Sequence, residues 1–366
     1  MPRRHRPGAS ATSTLAHVEE VILATSGEDS FELVLAVAAA RLLGPRGPRG
    51  VDRAAIARVA RVEKLLELRV PEVEDALVSE VDRLLDRLLP RGDGELAALD
   101  AVFESLVSRV AKGQKGQFFT PRPVVDAVVR ALRPKKGELV VDPSCGSGAF
   151  LGHAARHAPG VRTWGCDVDA RAVRLARLFA RASGRAPSDV ERADGLRGPA
   201  PSADVVATNP PFAGRAPAEG FGIARVVRSP ERDVLFLERA LELLRPGGRL
   251  GIVLPYNKAS GQAFASVRRF LLERARVLAV VGLPRETFLP HTAQRTFVLF
   301  AKKRLRPLPQ GELSAARAER TAFVVSERAG KDAAGEPVLR DGRPDDDLEE
   351  VLGALVPFLR EERFFA

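Results

Sequence analysis

Residues 140–151, VVDPSCGSGAFL, decide the fold of this 366-residue chain. Two valines close a short apolar run, a carboxylate follows, and two glycines then lead into a helical pattern. In open α/β sheets, ligands bind beyond the carboxyl ends of strands, where a glycine turn feeds a helix. Gly146 and Gly148 lack a Cβ, so the backbone there can take positive φ and a ligand can approach closely. The stretch therefore predicts a ligand site at the end of a parallel strand.

The residues around this loop also indicate the kind of ligand. Dinucleotide-binding turns have a third glycine where this chain has Leu151. Asp142 would repel a pyrophosphate but suits a cation that carries an ammonium and a sulfonium. The next apolar run ends at Asp167, where an acidic side chain takes ribose hydroxyls, and a third ends near Asp194, placed to accept from an adenine amine. The alternative is that these strand-end carboxylates only cap helices.

The rest of the chain shows two patterns. We predict a disordered basic tail over residues 1–14 and an all-helical N-terminal domain over 15–95, where apolar residues recur at helical spacing. Over 96–304, short apolar runs alternate with amphipathic helical stretches, which predicts an α/β domain with a mainly parallel, doubly wound sheet. A C-terminal extension covers 305–366, with one strand at Phe323–Val325 and one helix at Asp347–Phe358. The strands predicted in the α/β domain are Leu139–Asp142, Thr163–Asp167, Ala203–Thr208, Arg249–Pro255, Val277–Leu283 and Thr296–Ala301, and its predicted helices include Ala170–Ala182 and Asp233–Leu244.

A second motif, Asn209-Pro210-Pro211-Phe212, follows the predicted strand that ends at Thr208. The prolines remove two N–H donors, which leaves carbonyl oxygens, the Asn209 amide and an aromatic face. This set suits a substrate that presents an NH₂ on a flat ring: two oxygens accept from the amine, and Phe212 stacks on the ring. The alternative is a rigid proline turn with a buried phenylalanine.

Composition narrows the function classes. The formal net charge of +10 favours a polyanionic partner, although a compositional preference for arginine would produce the same charge. The candidate phosphate contacts are six basic residues, namely Arg268, Arg269, Lys302, Lys303, Arg304 and Arg306. The two cysteines exclude a disulfide framework and a four-cysteine zinc site, and no apolar stretch is long enough to span a bilayer. We expect a cytoplasmic protein with no membrane partner.

The chain resembles the amino-methylating DNA methyltransferases of the gamma arrangement. It shows their three motifs in the same order: GQFFTP at residues 116–121, the loop at 142–151 and Asn209–Phe212. More narrowly, it is similar to the methylation subunit of type I restriction-modification systems. The similarity runs from about residue 98 to 303, and the tail segments at 330–332 and 345–348 also fit.

The resemblance assigns roles to matching positions. The segment that closes over the methionine half of the cofactor matches Phe119, Thr120 and Pro121. The cofactor loop matches Asp142, Cys145, Gly146 and Gly148. The ribose carboxylate, usually a glutamate in the family, matches Asp167, and the adenine-side acid matches Asp194. The catalytic tetrad matches Asn209, Pro210, Pro211 and Phe212.

The resemblance implies a Rossmann-like class I methyltransferase that moves a methyl group from S-adenosylmethionine to N6 of an adenine flipped out of double-stranded DNA. It implies that the reaction needs no metal. It also implies that the chain is the modification subunit of a type I-like restriction-modification or related defence system. One partner would be a specificity subunit, because little of the chain after residue 304 remains for reading bases. A restriction subunit would be the other partner. The N-terminal helical part is short for such a subunit, which bears on the assembly and not on the chemistry.

Two alternatives stay open. Glutamine methyltransferases that act on release factors use a similar turn, since a side-chain amide is also a flat NH₂. A non-catalytic methylase relative would bind only DNA or a partner.

Overall fold

The computed structural model describes residues 29–44, 50–88, 99, 102–103, 120–212, 214–309 and 312–366. These residues belong to two compact units. One lies within Met1–Gln114 and Arg174–Ser188, and the other within Lys115–Val173 and Asp189–Ala366. The tail predicted at 1–14 lies outside the described residues, and the domain boundaries predicted at 95 and 304 stay a prediction.

The first unit is helical between residues 29 and 88, as predicted. Its helices are α1 (Ser30–Leu43), α2 (Arg53–Val62) and α3 (Asp75–Leu88), with a 3₁₀ turn at Lys64–Leu66. Aspartates cap the first two helices: Asp29 accepts from the nitrogen of Phe31 at 3.0 Å, and Asp52 from that of Ala55 at 2.6 Å. Helix α1 is buried along most of its length because it carries mainly aliphatic residues, and the described part of residues 29–88 contains no strand.

The second unit is built on an eight-stranded sheet. Its strands are β1 (Leu139–Asp142), β2 (Arg162–Asp167), β3 (Val190–Arg192), β4 (Ala203–Thr208), β5 (Leu244–Pro255), β6 (Ala275–Gly282), β7 (Thr296–Lys303) and β8 (Ala322–Val325). Their order is β3-β2-β1-β4-β5-β7-β6-β8, and β7 runs antiparallel to both of its neighbours whereas the other pairs are parallel. The mainly parallel sheet is confirmed. A small hairpin pairs β9 (Leu339–Arg340) with β10 (Arg343–Pro344).

Helices cover both faces of this sheet. The remaining helices of the chain are α4 (Arg122–Leu132), α5 (Ala149–His157), α6 (Ala170–Ala182), α7 (Arg232–Leu243), α8 (Asn257–Ser260), α9 (Ala265–Arg274), α10 (Leu313–Arg317) and α11 (Leu348–Glu361). Most of α6, from Arg174 onward, belongs to the first unit. Successive strand residues point to opposite faces: Val140 packs in a core with α4, α5 and α11, and Val141 in a core with α7 and α9. The strand runs lack polar alternation because both faces are buried.

The segment Arg245-Pro246-Gly247-Gly248 differs from the expectation. The sequence suggests a helix end followed by a tight turn into the next strand. In the structure α7 ends at Leu243, Leu244 already pairs with Ala203, and pairing resumes at Arg249. The four residues therefore form a bulge inside β5, where Gly247 takes φ +79°.

The predicted element bounds agree closely with the structure elsewhere. Strands β1 and β4 and helix α6 have the predicted bounds, and α7 is displaced by one residue. Within the described ranges no helix is both long and apolar enough to cross a membrane.

Candidate active site

Four loops begin at one edge of the sheet. Strands β3, β2, β1 and β4 lie side by side and parallel, so the loops after their carboxyl ends share that edge. The loop after β1 turns through Gly146 at φ +51° and Gly148 at φ +79°. A Cβ on Gly146 would meet no atom within 4 Å. Gly146 is therefore required for its backbone conformation, and it leaves open space beside the loop.

Asp142 is a fully buried carboxylate at the end of β1. Its Oδ1 accepts from Oγ1 of Thr208 at 2.6 Å and from the backbone nitrogen of Ser144 at 3.0 Å. Burial raises the pKa of Asp142 to about 7, against the opposing effect of these two hydrogen bonds. A cation beside a buried carboxylate stabilises its ionised form. This environment fits the predicted cationic ligand.

This pKa gives cofactor binding a predicted pH dependence. In its predicted role Asp142 binds a cationic ligand in its ionised form, and with a pKa of about 7 the free carboxyl takes up a proton as the pH falls through that value. We therefore expect the dissociation constant for S-adenosylmethionine to rise about tenfold from pH 8 to pH 6, because binding must release that proton. Calorimetry at both pH values measures the change. Asp142→Asn should bind more weakly with a flat profile, and an unchanged profile in that variant would assign the titration to another group.

Asp167 ends β2 and connects two loops. Its Oδ2 accepts from the backbone nitrogen of Gly146 at 3.0 Å, and its Oδ1 accepts from that of Asp169 at 2.9 Å. Burial raises the pKa of this carboxyl as well. Both hydrogen bonds are of the structural kind described by the capping alternative, and they fix the cofactor loop in place. The role of Asp167 toward a ribose stays a prediction.

The loop after β3 approaches the cofactor loop at a glycine that the sequence analysis missed. A Cβ on Gly195 would lie 1.7 Å from the carbonyl oxygen of Pro143, so only glycine permits this approach. The available signal was the Asp194-Gly195 pair, a common turn dipeptide. Oδ1 of Asp194 accepts from the nitrogen of Leu196 at 3.0 Å, and its role toward an adenine amine stays a prediction.

Cys145 takes part in the loop through its backbone. Its nitrogen donates to the carbonyl of Cys166 at 2.9 Å, and its carbonyl accepts from the nitrogen of Gly148 at 2.7 Å. Both cysteines are buried free thiols. Burial raises the pKa of Cys166 to about 12 and that of Cys145 well above its usual value. At neutral pH they are therefore buried, neutral thiols, the form that is a poor nucleophile.

Asn209 is held at one end of its amide and open at the other. Its Nδ2 donates to Oγ1 of Thr120 at 3.0 Å. Its Oδ1 is buried and has no hydrogen-bond partner among the described residues. Buried polar atoms are nearly always paired in folded proteins, so an unpaired one indicates a function or a missing ligand. Oδ1 is an acceptor available to an incoming donor.

The rest of the predicted tetrad is more enclosed than the sequence suggests. Pro210 is buried, Pro211 is half-buried and Phe212 is 7% exposed. The ring of Phe212 packs edge-to-face on Phe288, with 5.6 Å between the centroids. The aromatic face expected to be exposed is thus largely covered, because burial beside a second ring is favourable. Stacking of Phe212 on a base stays a prediction.

Thr120 and Pro121 precede α4, while Phe119 lies outside the described residues. Nη1 of Arg122, the first residue of α4, donates to Nε2 of His153 on α5 at 3.1 Å. Burial lowers the pKa of His153 to about 4, so the ring is a neutral acceptor at neutral pH. This contact connects the helix that follows Thr120 to the helix that follows the cofactor loop.

Thr208 joins the two motifs, and sequence reasoning did not find it. It hydrogen-bonds Asp142 across 66 positions of sequence, and it directly precedes Asn209. Its hydroxyl also lies 2.8 Å from that of Ser144. In a single sequence Thr208 is only the last residue of a strand, and no local signal marks it as the partner of a distant carboxylate.

The family model for N-6 DNA methylases matches residues 97–327. The chain belongs to the N-6 DNA methylase family. The methylase subunit of the type I restriction enzyme EcoEI from Escherichia coli is 30% identical over 214 residues, which cover 52% of this methylase and 43% of that protein. The EcoKI methylase subunit from Escherichia coli K12 is 27% identical over 247 residues, covering 55% and 44%. This methylase thus spans less than half the length of these relatives.

Solved structures share the fold of this methylase. A type I restriction-modification system methyltransferase subunit from Streptococcus thermophilus superposes with a TM-score of 0.64 at 18% identity, over 97% of both chains. A putative class I S-adenosylmethionine-dependent methyltransferase from Listeria monocytogenes gives 0.61 at 19% identity, over 97% of this chain and 99% of that one. The Rossmann-like class I methyltransferase fold that the sequence predicts is confirmed.

Proposed function

We propose that this N-6 DNA methylase transfers a methyl group from S-adenosylmethionine to the exocyclic amine of adenine in double-stranded DNA. The observation that carries the proposal is the buried Oδ1 of Asn209, an acceptor without a partner among the described residues. It stands next to Thr208, which hydrogen-bonds the buried carboxylate of Asp142. An amine acceptor and a cation-binding carboxylate thus meet at the carboxyl edge of one sheet.

The residues at this edge fit S-adenosylmethionine as the cofactor. Asp142 would hold its cationic end, Asp167 its ribose hydroxyls and Asp194 its adenine amine. The open space beside Gly146 gives the backbone of this loop room for a ligand. When bound, the cofactor supplies a methyl group that is already activated as a sulfonium, so the step needs neither a metal nor a strong base.

Asn209 and Pro210 would act on the substrate nitrogen. The lone pair of an adenine amine is delocalised into the ring, which makes it a poor nucleophile. Two acceptors, Oδ1 of Asn209 and the carbonyl of Pro210, favour a more tetrahedral nitrogen whose lone pair can attack in line. The new N–C bond would form as the S–C bond of the cofactor breaks, and the nitrogen would then lose a proton to solvent. The adenine must first leave the duplex, as in other enzymes that modify bases.

We further infer that the chain is the modification subunit of a type I-like system. The relatives named as type I methylase subunits support this assignment. DNA, a specificity subunit and a restriction subunit would be its partners, and the cytoplasm its location. The buried free thiols fit a reducing compartment.

The basic residues at the end of β7, which are candidates for phosphate contacts, lie at the opposite edge of the sheet from the loop after β4. Strand β7 is antiparallel, and Lys302 pairs with Arg249 at the amino end of the parallel part of β5. The Lys302 ammonium donates to the carbonyls of Arg363 and Ala366 at 2.8 and 2.6 Å. Lys302 is therefore far from the loop after β4 and is used to hold the C-terminal residues in place.

Other exposed arginines lie at the edge where the parallel strands end and where Asn209 follows β4, which we call the catalytic edge. Arg295 immediately precedes β7, and its carbonyl accepts from the nitrogen of Tyr256, which follows β5, at 2.9 Å. Arg285 follows β6, and Arg215 lies on the loop after β4. All three side chains are exposed. We propose that they contact DNA phosphates beside the target base.

Alanine at Arg285 and Arg295 should weaken DNA binding in a salt-dependent way. Each lost phosphate contact lowers the slope of log affinity against log salt by about 1. Fluorescence anisotropy with a DNA duplex at several salt concentrations measures this slope. Arg306→Ala is the matched control, since Arg306 is exposed but follows β7 at the opposite edge. Equal effects of all three substitutions would show that binding depends on net charge and not on this face.

The test of the function compares the host with and without the gene. Deletion should remove N6-methyladenine from one motif in genomic DNA read by long-read sequencing. The chain purified from its host with its accompanying subunits should transfer radiolabelled methyl to DNA adenine. Label on glutamine of a release factor would support the protein methyltransferase instead, and absence of cofactor binding would indicate a non-catalytic relative.

A further inference from the structure

We propose that Thr120 is a positioning residue for Asn209, whose side-chain amide it holds so that Oδ1 faces the substrate amine. The inference rests on the proposed function. It gives Thr120 a role beyond the cofactor contact that the family resemblance implies. The two residues are 89 positions apart, and the hydrogen bond from Nδ2 to Oγ1 measures 3.0 Å.

One hydrogen bond is enough to set the direction of this amide. The last torsion of an asparagine side chain is broad and roughly two-fold, so it defines the amide plane poorly by itself. Among the described residues, Thr120 supplies the one hydrogen bond seen for the Asn209 side chain. With Nδ2 fixed on Oγ1, Oδ1 must point away from Thr120, and this buried atom lacks a partner in the described part of the chain.

Thr120 can hold the amide because rigid elements hold Thr120. It stands just before Pro121 and α4, and Val124, Val125 and Val128 of that helix are buried in the core. Arg122 ties the start of α4 to His153 on α5, and α5 begins at the end of the cofactor loop. Groups that act on a substrate need such support from well-packed neighbours. The same support therefore serves the cofactor loop and the Asn209 amide.

The chemistry of the hydroxyl determines which substitutions are informative. In the hydrogen bond with Asn209 the hydroxyl oxygen of Thr120 accepts from Nδ2, so the substitutions must keep or remove this one acceptor. Serine keeps this group. Valine has the shape of threonine without the hydroxyl, so Thr120→Val removes the hydrogen bond with little change in packing, and Thr120→Ser is its matched control.

The first measurement is kinetic and uses the chain purified from its host with its accompanying subunits. At saturating S-adenosylmethionine, Thr120→Val should lower kcat by about 10- to 100-fold, the range seen when residues that orient metal ligands are replaced. Thr120→Ser should keep most of the rate. In an Asn209→Ala background, Thr120→Val should add little, because residues that act as a unit are not additive.

The second measurement detects the hydrogen bond directly and does not depend on activity. The chain contains two asparagines, Asn209 and Asn257, so selective ¹⁵N labelling of asparagine side chains gives two NH₂ signals. Asn257 is exposed and serves as the internal reference. Thr120→Val should shift the Asn209 signal and speed its exchange with water, while Thr120→Ser and the Asn257 signal should stay close to wild type.

The results of these two measurements test the role of Thr120 separately from the proposed function. An Asn209 signal unchanged in Thr120→Val overturns the inference, and so does a wild-type kcat in that variant. A rate loss that disappears at saturating cofactor would leave Thr120 with a cofactor role only, which also overturns it. A wild-type protein that transfers no methyl to DNA would instead refute the proposed function, independently of what the NMR comparison shows about Thr120.

Discussion

Asn209→Ala is expected to lower the rate of methyl transfer to DNA by about 10²- to 10³-fold, the usual effect of removing a preorganised group aimed at a transition state. The buried Oδ1 of Asn209 has no partner among the described residues, so it is available to accept from the substrate amine. Cofactor affinity should stay near the wild-type value, because Asp142 and Asp167 are left intact. Radiolabel transfer at saturating cofactor and calorimetry measure the two quantities separately.

Asn257→Ala is the matched control for this substitution. Asn257 is the other asparagine of the chain, it follows β5 at the same edge, and it is exposed. Its loss should leave the rate close to wild type. Near-normal turnover in Asn209→Ala would contradict the assignment of the catalytic tetrad, and a parallel loss of cofactor affinity would show that Asn209 supports the cofactor loop instead.

Many of the strands and helices were predictable because apolar runs in the sequence indicate which segments are buried. Strands β1 and β4 are unbroken aliphatic runs that end in polar residues, and both have the predicted bounds. Such runs do not report direction, so the antiparallel β7 was not foreseen. Its direction has consequences, because it carries Lys302 away from the catalytic edge and brings Arg295 to it.

The candidate site was predictable only where the residues that form it are close together in the sequence. A glycine loop and a proline turn are visible as short motifs, since their backbone conformations depend on the residues themselves. The bonds from Thr208 to Asp142 and from Asn209 to Thr120 join residues 66 and 89 positions apart. Tertiary packing creates these pairs, and no spacing rule encodes them. The covered ring of Phe212 has the same origin, because Phe288 reaches it from another loop.

The segment after residue 304 is used to complete the sheet and its core. Strand β8 extends the sheet beside β6. Helix α11 buries a row of aliphatic side chains against the core beneath α4, namely Leu348, Val351, Leu352, Leu355 and Leu359. Residues whose apolar faces are needed for packing are poorly placed to enter a DNA groove. In this segment the hairpin of β9 and β10, in which Leu339, Arg340 and Pro344 are exposed, is the candidate for a base-reading element.

The polypeptide of residues 1–366, purified alone, should therefore methylate no defined DNA motif. The exposed arginines are proposed to contact phosphates, and phosphate contacts position a protein without reading sequence. It should bind cofactor and bind DNA weakly with a steep salt dependence, whereas specific complexes are typically about 10³- to 10⁷-fold tighter than non-specific ones. Addition of the specificity subunit from its host should restore methylation at one motif. In vitro methylation of plasmid DNA followed by long-read sequencing measures this. Efficient modification of a single sequence by the polypeptide alone would show that it carries its own reader, with β9–β10 the first element to mutate.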